Sequence, residues 1–174
     1  MKKTRIGFVG VGCISGIYLQ NITQLYKELE IAGVCDLVRE KAENASREYG
    51  VRVYRDMYEL FADPSVDIVL NITRPNDHYE VTKAALEAGK HVYSEKMMAV
   101  ELWEGEDLVK TAKECGVYYC GGPDTYLGAG LQTARQIYDS GMLGTAVAAN
   151  ITLVRGYHHE RWRTDPERRF AFCP

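Results

Sequence analysis

Three groups of residues have types and spacing that could carry chemistry. The first is Gly10-Val11-Gly12-Cys13-Ile14-Ser15, which joins an apolar run (Ile6, Phe8, Val9) to a stretch with helically spaced apolar residues (Ile14, Ile17, Tyr18, Ile22, Leu25). Strand, glycine turn and helix in that order form a dinucleotide-binding fingerprint. Gly10 suits the tight turn, Gly12 lets backbone approach a pyrophosphate, and the N–H groups of the helix start face the anion. Gly10, Gly12, Cys13, Ile14 and Ser15 are therefore candidate cofactor contacts, with Ser15 small enough for close helix–strand packing. The second group is Asp36, at the end of the run 29–35 and 21 residues after Ser15. A carboxylate at about that spacing accepts from both adenosine ribose hydroxyls and repels a 2′-phosphate, favouring NAD over NADP. Its other possible use is to cap a helix over 38–49, and Arg39 could accommodate a 2′-phosphate. The third group is Glu95-Lys96, after the strand-like run His91-Val92-Tyr93-Ser94. An exposed ion pair there would contribute about 0–1 kcal/mol, whereas strand carboxyl ends are where open α/β sheets build sites.

The elements that must position these groups follow in regular alternation. Apolar or β-branched runs at 6–9, 29–36, 51–54, 66–73, 91–94 and 117–120 predict six strands, separated by helical patterns that include 38–49, 57–61, 78–88 and 101–115. That alternation predicts an α/β fold, a doubly wound parallel Rossmann sheet with helices on both faces. Ligand is expected at the strand carboxyl ends: Gly10–Ser15, Asp36, Thr73–His78, Glu95–Met97 and Gly121–Asp124. Thr73, Arg74, Pro75 and His78 join the candidate cofactor contacts on this ground. Pro75 blocks the strand, Asn76 or Asp77 can cap the next helix, and Gly89 stops it. Beyond residue 125 the pattern changes. Residues 128–139 look helical, and Ala146–Arg155 alternates in part, as a strand of an antiparallel sheet with one covered face does. The expected organisation is a dinucleotide-binding domain over 1–125, then a connecting helix and the opening strand of a truncated α+β domain over 126–174. An unpaired strand is an edge-pairing hazard, so pairing with a second copy in a homo-oligomer, or disorder, is expected at 146–155.

Composition narrows the function classes. A chain of 174 residues with 46% hydrophobic residues has the makings of one ordinary core, and a formal charge of −3 argues against a nucleic-acid partner. No run of 18 apolar residues is present, so no membrane span is expected. The apolar run after MKKT is short and breaks into glycines, which reads as a cytosolic strand rather than a signal peptide. Five cysteines (Cys13, Cys35, Cys115, Cys120, Cys173) are odd in number and lack metal spacing. Cys13, Cys35 and Cys120 fall in or beside predicted strands, so reduced, partly buried thiols in the cytoplasm, and no metal, are expected.

Three stretches together carry a resemblance: GVGCIS at the amino end, NITRPNDHYEVTKAALEAGKHVYSEK, and GGPDTYLGAGLQTARQIYDSGMLG. On these the chain resembles the Gfo/Idh/MocA oxidoreductases, the family of glucose–fructose oxidoreductase and inositol dehydrogenase, over nearly its whole length to about residue 155. The resemblance implies NAD(P)-dependent hydride transfer to or from a sugar or polyol. It also implies that Lys96 is catalytic, because Glu95-Lys96 matches a Glu-Lys-Pro motif whose lysine sits beside nicotinamide and substrate. Met97 stands where that motif has proline, which would fix φ. His78 matches a position lining the dinucleotide site. The family's catalytic histidine and neighbouring aspartate lie downstream of any matching position here, so this chain is expected to be the nucleotide-binding half of a longer relative. His158 and His159 read as solvent-exposed rather than as replacements, Trp162 and Arg163 as unanchored, and the closing RRFAFCP departs from the family's glycine-rich run. A non-catalytic dinucleotide-binding module, a sensor or partner subunit, is the alternative reading. A methyltransferase would leave Glu95-Lys96 without a role.

Overall fold

The computed structural model describes residues 2–122, 125–152 and 154. Five parallel strands form one sheet: β1 (Thr4–Val9), β2 (Leu29–Cys35), β3 (Ile68–Asn71), β4 (His91–Ser94) and β5 (Tyr119–Gly121), in the order β2-β1-β3-β4-β5. Going from β2 to β3 the chain passes across β1 to its other side, so the strand order reverses between β1 and β3. That reversal opens a crevice at the strand carboxyl ends. Register places Val9 beside Cys35 on one side and Asn71 on the other, so the three ends lie level.

Strand alternation divides the core between the two sheet faces. Ile6 and Phe8 face α1 (Ser15–Gln24) and α2 (Arg39–Tyr49), packing with Leu19, Ile22, Ala42 and Ala45. Val9, Val69 and Val92 belong to the opposite core with α3 (Met57–Ala62), α4 (His78–Glu87) and α5 (Leu102–Cys115), through Leu60, Leu86 and Leu108. Phe8, Leu60, Leu86 and Leu108 are fully buried, and each contributes about 1.5–3 kcal/mol of transfer free energy. The doubly wound sheet is thus the one expected.

Three local expectations are corrected. Residues 51–54 do not form a sixth strand; only Val53 bridges Val34, through Val34 N–H to Arg52 O (2.8 Å) and Tyr54 N–H to Val34 O (2.9 Å). The segment crosses β2 at Gly33, where an added Cβ would come within 2.6 Å of the Tyr54 ring and 2.7 Å of Arg52 O. The Asp56 carboxylate then accepts Glu59 N–H at 2.8 Å and starts α3 before a ladder can extend. The buried face of α1 is Ser15, Leu19 and Ile22, with Tyr18 packed beside it; of the expected stripe Ile22 and Tyr18 therefore face the core, while Ile14, Ile17 and Leu25 are exposed. Of the four described cysteines, only Cys35 is buried; Cys13 stands in the glycine loop, Cys115 ends α5, Cys120 sits on the edge strand, and all three are exposed free thiols.

Asp63, after α3, supplies an acid-sensitive brace. Hydrogen bonding from Ser65, then from the Tyr54 hydroxyl (2.8 Å), holds its carboxyl at about 2, down from 3.8. The folded-state value lies below the unfolded one, so this stabilisation is complete above about pH 4 and is lost as pH falls toward 2. In Asp63→Asn the fall in thermal midpoint between those pH values should be shallower than in the parent chain. Superimposable pH profiles would assign the acid sensitivity elsewhere.

The chain divides into two units after Gly122. In the second, α6 (Ala129–Asp139) follows a short 3-10 turn at Thr125–Leu127 and ends with Ser140 as C-cap, matching the expected helix. The strand expected at Ala146–Arg155 is not formed at its described residues, 146–152 and 154. A strand exists only through ladder partners, and none is offered to them among the described residues. Arg155, His158, His159, Trp162, Arg163 and Cys173 lie outside the described residues, as do Pro123 and Asp124. Among the described residues no helix is long and apolar enough to cross a membrane.

Candidate functional site

The glycine loop is built where β1, β2 and β3 end together. Gly10 N–H donates to Cys35 O at 2.9 Å, and Gly10 has φ +93°, a conformation L side chains rarely adopt. A Cβ there would sit 2.9 Å from Ile72 O, so the loop passes directly against the end of β3. Gly12 differs: a Cβ on it would meet nothing within 4 Å. Ser15 is buried and donates its hydroxyl to Gly12 O at 2.7 Å, closing the loop onto α1. Ile14 is the N-cap and supplies no side-chain acceptor; Ser15 N–H donates to Gly12 O at 3.2 Å, and the first-turn N–H groups after it are not capped by a side chain. Open space at Gly12, exposed Cys13 and Ile14, and uncapped helix amides fit a diphosphate.

Asp36 is half-buried and braces this loop. Its Oδ2 accepts Val11 N–H at 2.6 Å and its Oδ1 accepts Val38 N–H at 2.8 Å. Val38, not Asp36, occupies the N-cap position of α2. Each carboxylate oxygen keeps a further lone pair that can accept from a hydroxyl. Arg39 is engaged with Glu43 along α2, Nε to Oε1 at 2.8 Å.

Past β3 the chain turns on a buried side chain that sequence reasoning passed over. Asn71 is fully buried; its amide donates to His78 O (3.1 Å) and Thr82 Oγ1 (3.0 Å), and its Oδ1 accepts Thr73 N–H (3.2 Å) and Oγ1–H (2.7 Å). Its signal in the sequence is a lone amide closing the run VDIVLNI. Pro75 opens a 3-10 turn, and Arg74 pairs with Asp77 at 2.8 Å. Asp77 occupies the N-cap position of α4 without a side-chain cap bond. His78 is buried, 1% exposed, with Nδ1 2.5 Å from Met97 O and Nε2 3.1 Å from Thr73 O. It joins the two strand-end segments from behind rather than presenting its ring to a ligand.

The Lys96 segment is held to the rest at three points. Glu95 N–H donates to Asn71 O at 2.8 Å, and the His78 ring meets Met97 O. The Glu95 carboxylate accepts Tyr18 O–H from α1 at 2.6 Å on Oε1 and Lys96 N–H at 3.0 Å on Oε2. Lys96 itself is exposed, and the Lys96–Met97 peptide is cis. Tyr18 was legible only as an apolar-face residue, because its partner lies 77 positions away. The structure therefore brings Gly10–Ser15, Asp36, Thr73, His78 and Glu95-Lys96 to one edge of one sheet.

The profile of an oxidoreductase family with an NAD-binding Rossmann fold, Gfo/Idh/MocA, matches residues 4–122. The chain is 33% identical over 115 residues to an inositol 2-dehydrogenase/D-chiro-inositol 3-dehydrogenase of Lactiplantibacillus plantarum, covering 65% of this chain and 33% of that protein. Among solved structures, the WlbA dehydrogenase of Bordetella pertussis in complex with NADH and UDP-GlcNAcA superimposes with a TM-score of 0.79 at 29% identity, over 82% of this chain and 41% of that one. A scyllo-inositol dehydrogenase of Lactobacillus casei with bound NAD(H) and scyllo-inositol superimposes with a TM-score of 0.76 at 25% identity, over 82% and 43%. The chain thus spans a third to under half the length of these relatives.

Proposed function

Because the chain belongs to the Gfo/Idh/MocA oxidoreductase family, we propose that it supplies the dinucleotide-binding part of an oxidoreductase acting on an alcohol carbon of a sugar or polyol. NAD is the cofactor, and when bound it supplies the hydride acceptor or donor. The loop Gly10–Ser15 and the start of α1 hold the diphosphate. Asp36 accepts from the adenosine ribose hydroxyls while its backbone bonds keep it oriented. Thr73, Arg74 and Pro75 form the neighbouring wall, with His78 holding that wall to the Lys96 segment. Lys96, exposed after β4, donates to the reacting oxygen and steadies the charge developing there. Residues 1–125 form the cofactor domain, and those beyond begin a substrate domain.

The observation that carries this reading is Asp36. Both its oxygens are already fixed by backbone N–H groups beside an uncapped helix start, so the carboxylate is aimed before any ligand arrives. Titration of the 174-residue chain with NADH and with NADPH, followed by nucleotide fluorescence, tests it. Saturable NADH binding with NADPH weaker by tenfold or more is expected. Absence of saturable binding for both would overturn the reading, and a preference for NADPH would overturn the role of Asp36.

A further inference from the structure

The contact between α1 and the segment after β4 lies outside the strand ladder, yet it joins two parts of the proposed site. Tyr18 O–H donates to one oxygen of Glu95 at 2.6 Å, and the other oxygen accepts Lys96 N–H at 3.0 Å. Tyr18 is about one turn into α1, the helix that begins at Ser15 directly after the glycine loop. We propose that Tyr18 is a positioning residue: through Glu95 it sets the Lys96 main chain against α1, so that ordering the glycine loop and placing the Lys96 amine are coupled. The proposal rests on the dinucleotide reading above.

The tyrosine ring packs against the core on its side of the sheet, a task phenylalanine would do as well. The hydroxyl is what distinguishes Tyr18: it donates to Glu95, and the Tyr93 side chain adjoins it as well. Tyr18 and Glu95 are both half-buried, so the bond is partly shielded from water and stronger than at the surface. Burial and the adjoining carboxylate push the phenol pKa upward, which keeps the hydroxyl a donor at any ordinary working pH. Glu95 meanwhile has its main chain tied to Asn71 O at 2.8 Å. With the backbone fixed by β3 and the carboxylate fixed by α1, the Lys96 N–H has one direction to point.

The test uses the full 174-residue chain and three variants: Tyr18→Phe, Glu95→Ala and the double substitution. Amide hydrogen exchange by NMR reads the Lys96 N–H, and NADH fluorescence titration reads affinity. Tyr18→Phe should accelerate exchange at Lys96 by roughly tenfold, the scale of losing one hydrogen bond to a charged group, and raise the NADH dissociation constant several-fold. Exchange in β1 and β3 should not change. On the Glu95→Ala background, Tyr18→Phe should add nothing to either readout. Unchanged Lys96 exchange in Tyr18→Phe, additive effects in the double variant, or acceleration spread over the whole sheet would each overturn the positioning role. If Lys96 exchange responds but the parent chain binds no NADH, the dinucleotide reading fails and the coupling to the cofactor fails with it.

Discussion

Asp36→Ala should weaken NADH binding by roughly a hundredfold and lower the thermal midpoint of the cofactor-free chain by about 5 °C. The two effects have one origin. The carboxylate accepts Val11 N–H and Val38 N–H, and hydrogen bonds to a charged group contribute about 1.5–3 kcal/mol each. Removing it leaves the glycine loop free to sample other conformations, and about 2 kcal/mol corresponds to a midpoint shift of several degrees in a domain of this size. Binding loses more than the loop brace, because the ribose hydroxyls lose their acceptor as well, and each 1.4 kcal/mol is a factor of ten. Discrimination against NADPH should narrow in parallel, since the negative charge that repels a 2′-phosphate is gone. Fluorescence titration with both nucleotides and a thermal scan without them separate the parts. A lowered midpoint with unchanged NADH affinity would make Asp36 a loop brace alone. Lost affinity with an unchanged midpoint would mean that the backbone bonds add nothing to stability.

Asn71→Leu should be the more damaging substitution to the fold, at about 3–5 kcal/mol, although leucine has a similar volume and greater hydrophobicity. Asn71 is fully buried and makes four hydrogen bonds, to the backbone N–H and hydroxyl of Thr73, to His78 O and to the Thr82 hydroxyl. Each buried polar group stranded by its loss costs about 1–3 kcal/mol, with hydroxyls able to find other partners in part. Denaturant unfolding monitored by circular dichroism measures this. Asn76→Leu, at an exposed position five residues on, is the control and should stay within about 0.5 kcal/mol of the parent chain. A loss of under 1 kcal/mol in Asn71→Leu would show that the turn between β3 and α4 is held by its backbone and by His78. NADH affinity should fall in the same variant, because the Thr73–His78 segment beside the proposed site loses the side chain that holds it.

Much of the architecture was legible because it depends on local order. The apolar runs ending in Val9, Cys35, Asn71 and Ser94 became parallel strands, and the intervening patterns became helices on both faces. A buried parallel strand must be apolar on both sides, and its crossover must carry an apolar stripe, so both leave marks within a short window. Gly10, Asp36 and Glu95-Lys96 were legible for the same reason, since each stands where a strand stops. The run 51–54 was misread because its composition suits a strand while its fate depends on contacts elsewhere. Packing at Gly33 and the cap at Asp56 limit it to one bridge. The run 146–155 was misread similarly at its described residues, since alternation specifies a face to cover and cannot supply the neighbouring strand.

The sequence by itself determined the order of strands and helices, the positions where the chain must turn, and the residue types available at each strand end. Those are properties of short windows, governed by side-chain periodicity and backbone freedom. Tertiary structure alone decided what the strand-end residues do to one another. It put Asp36 under the Val11 amide, moved His78 out of solvent to join Thr73 to Met97, and gave Asn71 four partners. It also set Tyr18 against Glu95 across 77 positions of chain. These pairings depend on the crossing of the sheet between β1 and β3, which brings distant segments together at one edge. A hydrogen bond there is a fact of distance and direction that no spacing along the chain encodes.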